Sequence, residues 1–408
     1  MRHFMKRHVL ALSLFVVSAA AAVSAVPQTP PATYFPPKGA WQQKDPASLG
    51  VDKTKLDEAV ALAIARQSTG DKDLGPATIA QFANEAPYNT LIGPTQVRAA
   101  ANGVIIRHGY VVAEWGDTGR ADMTFSVTKT FLSTVVGLAW DRGLIRDLTD
   151  RVAYYMPAGV DLFTSEHNAP ITWEHLLRQT SDWSGTLWGK PDWADRPPRG
   201  QTPDQWEKRP LNIPGAVYKY NDTRVNVLAL SALHVLKQEL PTVLKTSIMD
   251  PIGASDTWHW EAYDNAVVTI DGKKMKSVTG GGHFGGGMFI NAWDMARFGY
   301  LFLNHGKWNG KQLISEKWQD KARSPGPVNP GYGFCNWFLN NPNPAKRADG
   351  TDNPPPFPSA PRSVITFQGN GVNLIYIDWE HDLVVVLRWI STNGAADQVL
   401  AKLIGAIQ

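Results

Sequence analysis

The chain predicts an α+β fold: a mostly antiparallel sheet flanked by helices, with a helical lobe inserted between its two halves. Three observations carry this. Strand-like runs cluster at 104–115 and again at 333–389, tight-turn signals join neighbouring runs as antiparallel pairs, and helical patterns lie at both ends and in the middle. The expected organisation is a leader over 1–25, a Pro-rich extended segment over 26–50 and one domain over 51–408. Its sheet lobe is drawn from 51–125 and 290–408, its helical lobe from about 126–289.

The elements follow in order. Basic residues through His8, an apolar run from Val9 to about Ala22 and the small-residue site Val23-Ser24-Ala25 have the layout of a secretory leader cleaved after Ala25. The run is short for a membrane span. Pro27 to Pro37 reads as extended. Asp52 caps a helix through about Gln67 with Leu56, Val60, Ala63 and Ile64 as its apolar stripe, and 70–100, rich in Gly, Pro and Asn, reads as loop. A hairpin runs from Val104 to Trp115 through His108-Gly109.

A helix beginning at Ser126 runs to about Arg142 and stops at Gly143, and its apolar residues on most sides predict a buried central position. Thr172 caps a short helix over Trp173–Leu177, and Gln179 to Pro214 reads as loop. A helix follows Tyr220-Asn221-Asp222 to about Gln238, and a hairpin over Val267–Val278 turns at Asp271-Gly272. The glycine run Gly280–Gly287 precedes a helix capped by Asn291, and Asn309-Gly310 marks a further hairpin. After a Pro-rich insertion over Asn340–Pro361, three strands (Ser363–Gln368, Val372–Asp378, Leu383–Trp389) lead to a terminal helix from Ala395.

Composition narrows the function. The formal charge is +3 and falls to zero once the three basic residues of the leader are removed, so nothing argues for a nucleic acid or an anionic membrane as partner. Cys335 is the sole cysteine, so no intramolecular disulfide is possible; its apolar neighbours predict a buried strand residue. His175, His259 and His283 lack metal-ligand spacing, and no Gly-Lys-Ser/Thr follows the glycine run. The expectation is no metal and no cofactor.

Ser126-Val127-Thr128-Lys129 offers chemistry. Residues three apart on a helix are neighbours, so the amine of Lys129 can reach the hydroxyl of Ser126, and the helix start offers backbone N–H groups to a developing oxyanion. Alone the pattern is weak: a Ser-x-x-Lys arises by chance about once in such a chain, with Ser as cap and Lys solvated as the plain alternative.

Pro214-Gly215 with Tyr220-Asn221-Asp222, the segment Ile171–Ser181 and the stretch Gly286–Gly299 supply the rest of a pattern. In this order they resemble the serine β-lactamase and penicillin-recognising superfamily, on the side of class C β-lactamases, D-alanyl-D-alanine carboxypeptidases and family VIII carboxylesterases. The resemblance implies a β-lactamase/transpeptidase-like fold and a cofactor-free serine hydrolase. Ser126 would form the acyl-enzyme, Lys129 and Tyr220 would relay the proton, and the backbone N–H groups of Ser126 and Asn370 would form the oxyanion hole. The family's third motif should fall at Phe367-Gln368-Gly369-Asn370-Gly371, where no lysine or histidine stands.

That absence, with Asp222 where relatives carry an amide or hydroxyl, implies a neutral or cationic substrate. Asp222 either faces the site, favouring charged Lys129 and shifting base work to Tyr220, or caps the following helix. Gly369, Gly371, His283, Trp183 and Trp188 complete the candidate substrate contacts; for His283 the alternative is a packed loop residue, and for the tryptophans a pin holding the loop to the core. The expectation is a secreted or periplasmic hydrolase of small esters or amides without a stable membrane anchor, esters favoured. β-Lactamase, D-amino-acid peptidase and linear-amide hydrolase resembling the nylon-oligomer enzymes are alternatives, as is a slowly acylating penicillin-sensor-like binding protein.

Overall fold

The Asp52 side chain accepts the Lys55 N–H at 3.1 Å and starts α1 (Lys53–Ala65). Its buried stripe is Leu56, Ala59 and Ala63, whereas Ile64, expected in the stripe, is 54% exposed. The computed structural model describes Met1 and residues 33–408 except 342 and 347–349. The leader proposed over 1–25 therefore lies outside the described residues, as does the Pro-rich segment up to 32. The stretch 70–100, expected as loop, contains α2 (Leu74–Gln81), capped by Asp73, and a 3-10 turn at Ala83–Glu85. Pro76 falls in the first turn of this helix, where proline is tolerated because its missing N–H would have no partner.

A six-stranded antiparallel sheet is built from both ends of the described chain. β1 (Asn102–Arg107) and β2 (Tyr110–Trp115) form the expected hairpin, and β3 (Asp122–Met123) leads to the Ser126 turn. α3 (Thr128–Asp141) and α4 (Asp222–Leu236) are the central helices, buried on nearly every side. β4 (His259–Ile270), β5 (Lys273–Val278) and β6 (Gly287–Ile290) follow, then α5 (Ala292–Leu303). β7 (Trp337–Phe338), β8 (Ile365–Gly369), β9 (Asn373–Asp378), β10 (Leu383–Arg388) and α6 (Asn393–Ile404) end the chain. The order across the main sheet is β7-β8-β9-β10-β1-β2, and a four-stranded sheet has the order β3-β6-β4-β5.

Side chains alternate between the faces of a strand, and here both faces are covered. Ile105, Val385 and Leu387 join the α1 and α6 residues Leu56, Ala63, Val399 and Leu403 in one cluster. Val104, Ile106, Val384 and Val386 join Phe298 and Leu301 of α5, together with α3 and α4, in the other. The helical lobe thus sits on one face of the sheet, with the N-terminal ends of α3 and α4 near the end of β8. Arg388, fully buried, donates to the carbonyls of Ile290 (2.6 Å), Asp122 (3.0 Å) and Met123 (3.1 Å) and to Asn373 Oδ1 (2.9 Å), tying β10 to β6, β3 and β9. Burial pulls this guanidinium down to about 10.

Three further expectations change. Gln179–Pro214 carries a two-residue hairpin (Thr186–Leu187 with Lys190–Pro191) and a short helix, Pro203–Glu207. Cys335 is buried but stands in a bend with φ 61° beside β7, not in a strand, and burial pushes its thiol up to about 12. The helix of the second motif ends at Leu236, two residues earlier than expected, because Lys237 turns left-handed at φ 52°. Among the described residues no single helix is long and apolar enough to cross a membrane.

Candidate active site

Ser126 does not open the helix itself; it lies in a 3-10 turn, Phe125–Val127, immediately before α3. Phe125 precedes it with φ 48°, a left-handed conformation that costs a bulky residue about 1–3 kcal/mol and persists where the surroundings enforce it. Here the Thr128 hydroxyl donates to the Phe125 carbonyl at 2.5 Å and accepts the Met288 N–H at 2.9 Å, while the Phe125 ring meets Trp389 edge-on. The turn leaves the Ser126 side chain half-buried and keeps the three-residue offset to Lys129, whose Nζ donates to Ser126 Oγ at 2.8 Å.

Tyr220 arrives from the segment before α4. Gln179 holds that segment: its Oε1 accepts the Asn221 N–H at 2.6 Å and its Nε2 donates to the Tyr332 hydroxyl at 2.9 Å. The Tyr220 ring stacks on Trp337 at 5.7 Å and meets Tyr332 edge-on at 6.2 Å. Lys129 Nζ stands 4.8 Å from its centre. Ser126, Lys129 and Tyr220 are thus brought together from segments 91 residues and more apart in sequence. Tyr218, the other tyrosine of the motif, packs on Tyr332 instead.

Asp222 faces this cluster. Asn221 caps α4, accepting the Arg224 N–H, so Asp222 occupies the first helical position and is free to point inward; the capping alternative is corrected by one residue. Its Oδ1 accepts from Lys129 Nζ at 2.5 Å and its Oδ2 from Arg196 Nη1 at 2.6 Å. Burial, the strongest single influence, would lower the Lys129 amine, but Asp222, by charge and hydrogen bond, and Tyr220 together overcome it, and Lys129 ends above the ordinary lysine value. Asp222 is held well below the carboxylate range despite burial, first by Lys129 and then by Arg196. Burial pushes the Tyr220 phenol up, and Lys129, Arg196 and a hydrogen bond to Ser126 offset it only in part. The resting site is therefore an ammonium, a carboxylate and a neutral phenol around one hydroxyl.

Two glycines make room for this. A Cβ on Gly281 would stand 1.8 Å from Asp222 Oδ1 and 2.2 Å from Lys129 Nζ, so only a glycine backbone fits behind the ion pair. A Cβ on Gly369 would stand 2.1 Å from the Thr124 carbonyl and 3.1 Å from the Ser126 nitrogen, so the end of β8 lies backbone to backbone on the Ser126 turn. Asn370 follows, its side chain paired with Gln81 of α2 in both directions, at 2.6 and 3.2 Å.

The remaining candidate contacts lie elsewhere. Gly371 packs on the Trp389 ring as a turn residue with φ 73°. Trp183 is buried in the core and donates to the Leu162 carbonyl at 2.7 Å, and Trp188 sits at the tip of the two-residue hairpin, packed on two apolar clusters. His283 is fully buried beneath Asp222, so it can reach no substrate; its Nε2 lies 2.7 Å from Glu85 Oε2.

Arg196, with Glu85 and Asp195 around it, is a site residue that sequence reasoning missed. It comes from the Pro-rich loop with φ 51°, donates through Nη1 to Asp195 and Asp222 and through its backbone N–H to Glu85 Oε1 at 3.0 Å, and lies over the Tyr220 ring at 5.2 Å. A cation therefore stands at the site although the third motif has none, but it is committed to carboxylates. Glu85, Asp195 and His283 also lie within 4.8 Å of one another, a donor set a divalent ion could use. Arg196, bonded to both carboxylate residues, already supplies positive charge there.

An α+β fold with serine, lysine and tyrosine at one cleft defines a serine hydrolase of the penicillin-recognising type. The chain matches the Beta-lactamase family over residues 93–407 and belongs to that family. It is 26% identical over 238 residues to a 6-aminohexanoate-dimer hydrolase from Paenarthrobacter ureafaciens, an alignment spanning 55% of this chain and 57% of that protein. Among solved structures, a Bacteroides dorei protein provisionally described as a β-lactamase superposes with TM-score 0.55 at 13% identity, over 87% of this chain and 99% of the other. A Pseudomonas syringae β-lactamase/D-alanine carboxypeptidase gives TM-score 0.50 at 14% identity, over 82% and 99%. These structural likenesses concern the fold.

Proposed function

We propose that the protein is a secreted hydrolase of small neutral or cationic carboxylic esters and amides, working through an acyl-enzyme on Ser126. The observation that carries this reading is Lys129 Nζ at 2.8 Å from Ser126 Oγ and 4.8 Å from the Tyr220 ring centre. Because Asp222 keeps Lys129 charged, the amine is not the resting base. Tyr220 reacts as the phenolate, formed by loss of its proton to solvent and stabilised by the ammonium: it takes the serine proton as Ser126 attacks the carbonyl, becoming the neutral phenol, and then gives that proton to the leaving group, which restores the phenolate. The backbone N–H groups of Ser126 and Asn370 hold the tetrahedral oxyanion. Water then enters by the same route in reverse and releases the acid.

Charge supports the substrate class. Three carboxylates, Asp222, Asp195 and Glu85, surround two cations, Lys129 and Arg196, so an anionic substrate enters against the local field. Esters are favoured because an alkoxide leaves with less proton assistance than an amine, and the Tyr220 phenol, raised by burial, is a reluctant proton donor. Linear amides form the second reading, supported by the likeness to the 6-aminohexanoate-dimer hydrolase. Secretion rests on the leader pattern of residues 1–25. Its check is the N-terminus of the exported protein, expected at Val26.

The test is a hydrolysis panel of short- and long-chain nitrophenyl esters, linear amides, nitrocefin and D-alanyl peptides. The expected result is a nitrophenol burst of one equivalent followed by steady turnover, with the label on Ser126. A burst without turnover would indicate a binding protein, and acylation at another residue would end the proposal.

A further inference from the structure

Behind the Lys129–Asp222 pair the structure carries a second layer that the reaction above does not use. The His283 ring is fully buried, wedged between Phe82 (3.9 Å between ring centres) and Phe284 (4.3 Å, edge-on). Its Nε2 lies 2.7 Å from Glu85 Oε2, while Glu85 Oε1 accepts the Arg196 N–H at 3.0 Å. A carboxylate only accepts, so Glu85 assigns the imidazole proton to Nε2 and leaves Nδ1 with a bare lone pair. That nitrogen has no hydrogen-bond partner and faces Asp222 Oδ2 at 3.9 Å. Two acceptors face each other across this gap, which accounts for its length: no hydrogen lies between them.

A buried nitrogen left unpaired is destabilising, and the site retains one aimed at the carboxylate that holds Lys129. Resting on the serine-hydrolase reading, we propose that His283, oriented by Glu85, is a positioning residue whose bare Nδ1 takes up a proton and thereby sets how firmly Asp222 holds Lys129. Protonation turns Nδ1 from acceptor to donor and closes the gap onto Asp222 Oδ2. The carboxylate is then shared by three cations, Lys129, Arg196 and His283. The groups facing the ring from the surrounding elements are Glu85, Asp195, Arg196, Asp222 and Lys129, with Lys190 beyond Phe284. Asp222 then holds Lys129 less firmly, the ammonium loses its fixed place beside Ser126 and Tyr220, and the rate falls on the acid side.

The test combines the full-length enzyme, a nitrophenyl ester and nitrogen-15 NMR of the histidine rings. The wild type should hold the Nε2–H form at neutral pH, and a proton should arrive on Nδ1 over the same pH interval in which kcat/KM falls about tenfold per unit. In His283→Asn that inflection should vanish, with kcat changed more than KM; in Glu85→Gln it should move to lower pH, because the imidazolium loses its partner. A ring carrying its proton on Nδ1 at neutral pH, or one that stays unprotonated while kcat/KM falls, overturns the inference, and the NMR needs no variant to fold. Ser126-dependent turnover with an unaltered acid limb in a folded His283→Asn would leave His283 as filler between two rings while sparing the hydrolase reading. Turnover independent of Ser126 would fail that reading instead.

Discussion

Two buried clusters of charge share the first turn of α4 and differ in how they are closed. Arg224 Nη2 bonds Asp182 Oδ1 at 2.7 Å and Asp192 Oδ2 at 2.9 Å, and Arg209 Nη2 bonds the same two carboxylates at 3.1 and 2.9 Å. Two cations meet two anions in the interior. Two residues earlier, Asp222 gathers Lys129 and Arg196 with Asp195, Glu85 and His283 nearby, an uneven set that ends in the half-exposed Ser126 and Tyr220. A balanced cluster away from solvent holds loops to a helix; an unbalanced one beside a nucleophile leaves protons free to move.

The contrast is sharpest under mutation. Ser126→Ala should reduce ester turnover by at least ~10⁴-fold, on the scale of lost nucleophiles elsewhere, with an unchanged melting curve. Retained turnover would mean that the open cluster is ornamental. Arg224→Met should do the reverse, lowering stability by about 3–5 kcal/mol in a denaturant titration because Asp182 and Asp192 lose a buried counter-charge. The protein that remains folded should keep its kcat, and a kcat loss at full stability would merge the two clusters into one functional unit.

Asp222→Asn tests the finer point. In the wild type Lys129 lies above and Asp222 below its ordinary value, so the pair's stabilisation is present above the unfolded carboxylate value and lost as pH falls through the depressed one; at the other end it is present below the unfolded lysine value and lost as pH rises through the raised one. Without the carboxylate, burial and Arg196 both push the amine down. The amine should then lose its charge, and with it its stabilisation of the Tyr220 phenolate, at lower pH, so the alkaline fall of kcat/KM should begin earlier than in the wild type; an unmoved alkaline limb would show that Asp222 does not hold the charge on Lys129.

Much of this was legible in the residues. Ser126 and Lys129 stand three apart, a spacing that sets amine beside hydroxyl, Tyr220 was picked out by the resemblance of its motif, and hairpin turns and alternation located the sheet strands. Asn221 and Asp222 are both able caps, so sequence could not say which one turned inward; a shift of one residue decides between cap and site. Glu85, Asp195 and Arg196 were hidden for another reason. They lie in non-repeating stretches among prolines and glycines, and their meeting depends on how two loops fold over α4, which no local period encodes. His283 was visible as a histidine among glycines, but its Glu85 partner, 198 residues away, was not.

The Arg388 guanidinium reaches, from the middle of the sheet, the carbonyls of Asp122 and Met123, just ahead of Ser126. Such a rivet means that the nucleophile's turn cannot loosen while the sheet survives. On warming, loss of enzymatic rate and loss of secondary structure should trace one superimposable curve, and an early fade of activity would show that the rivet slips.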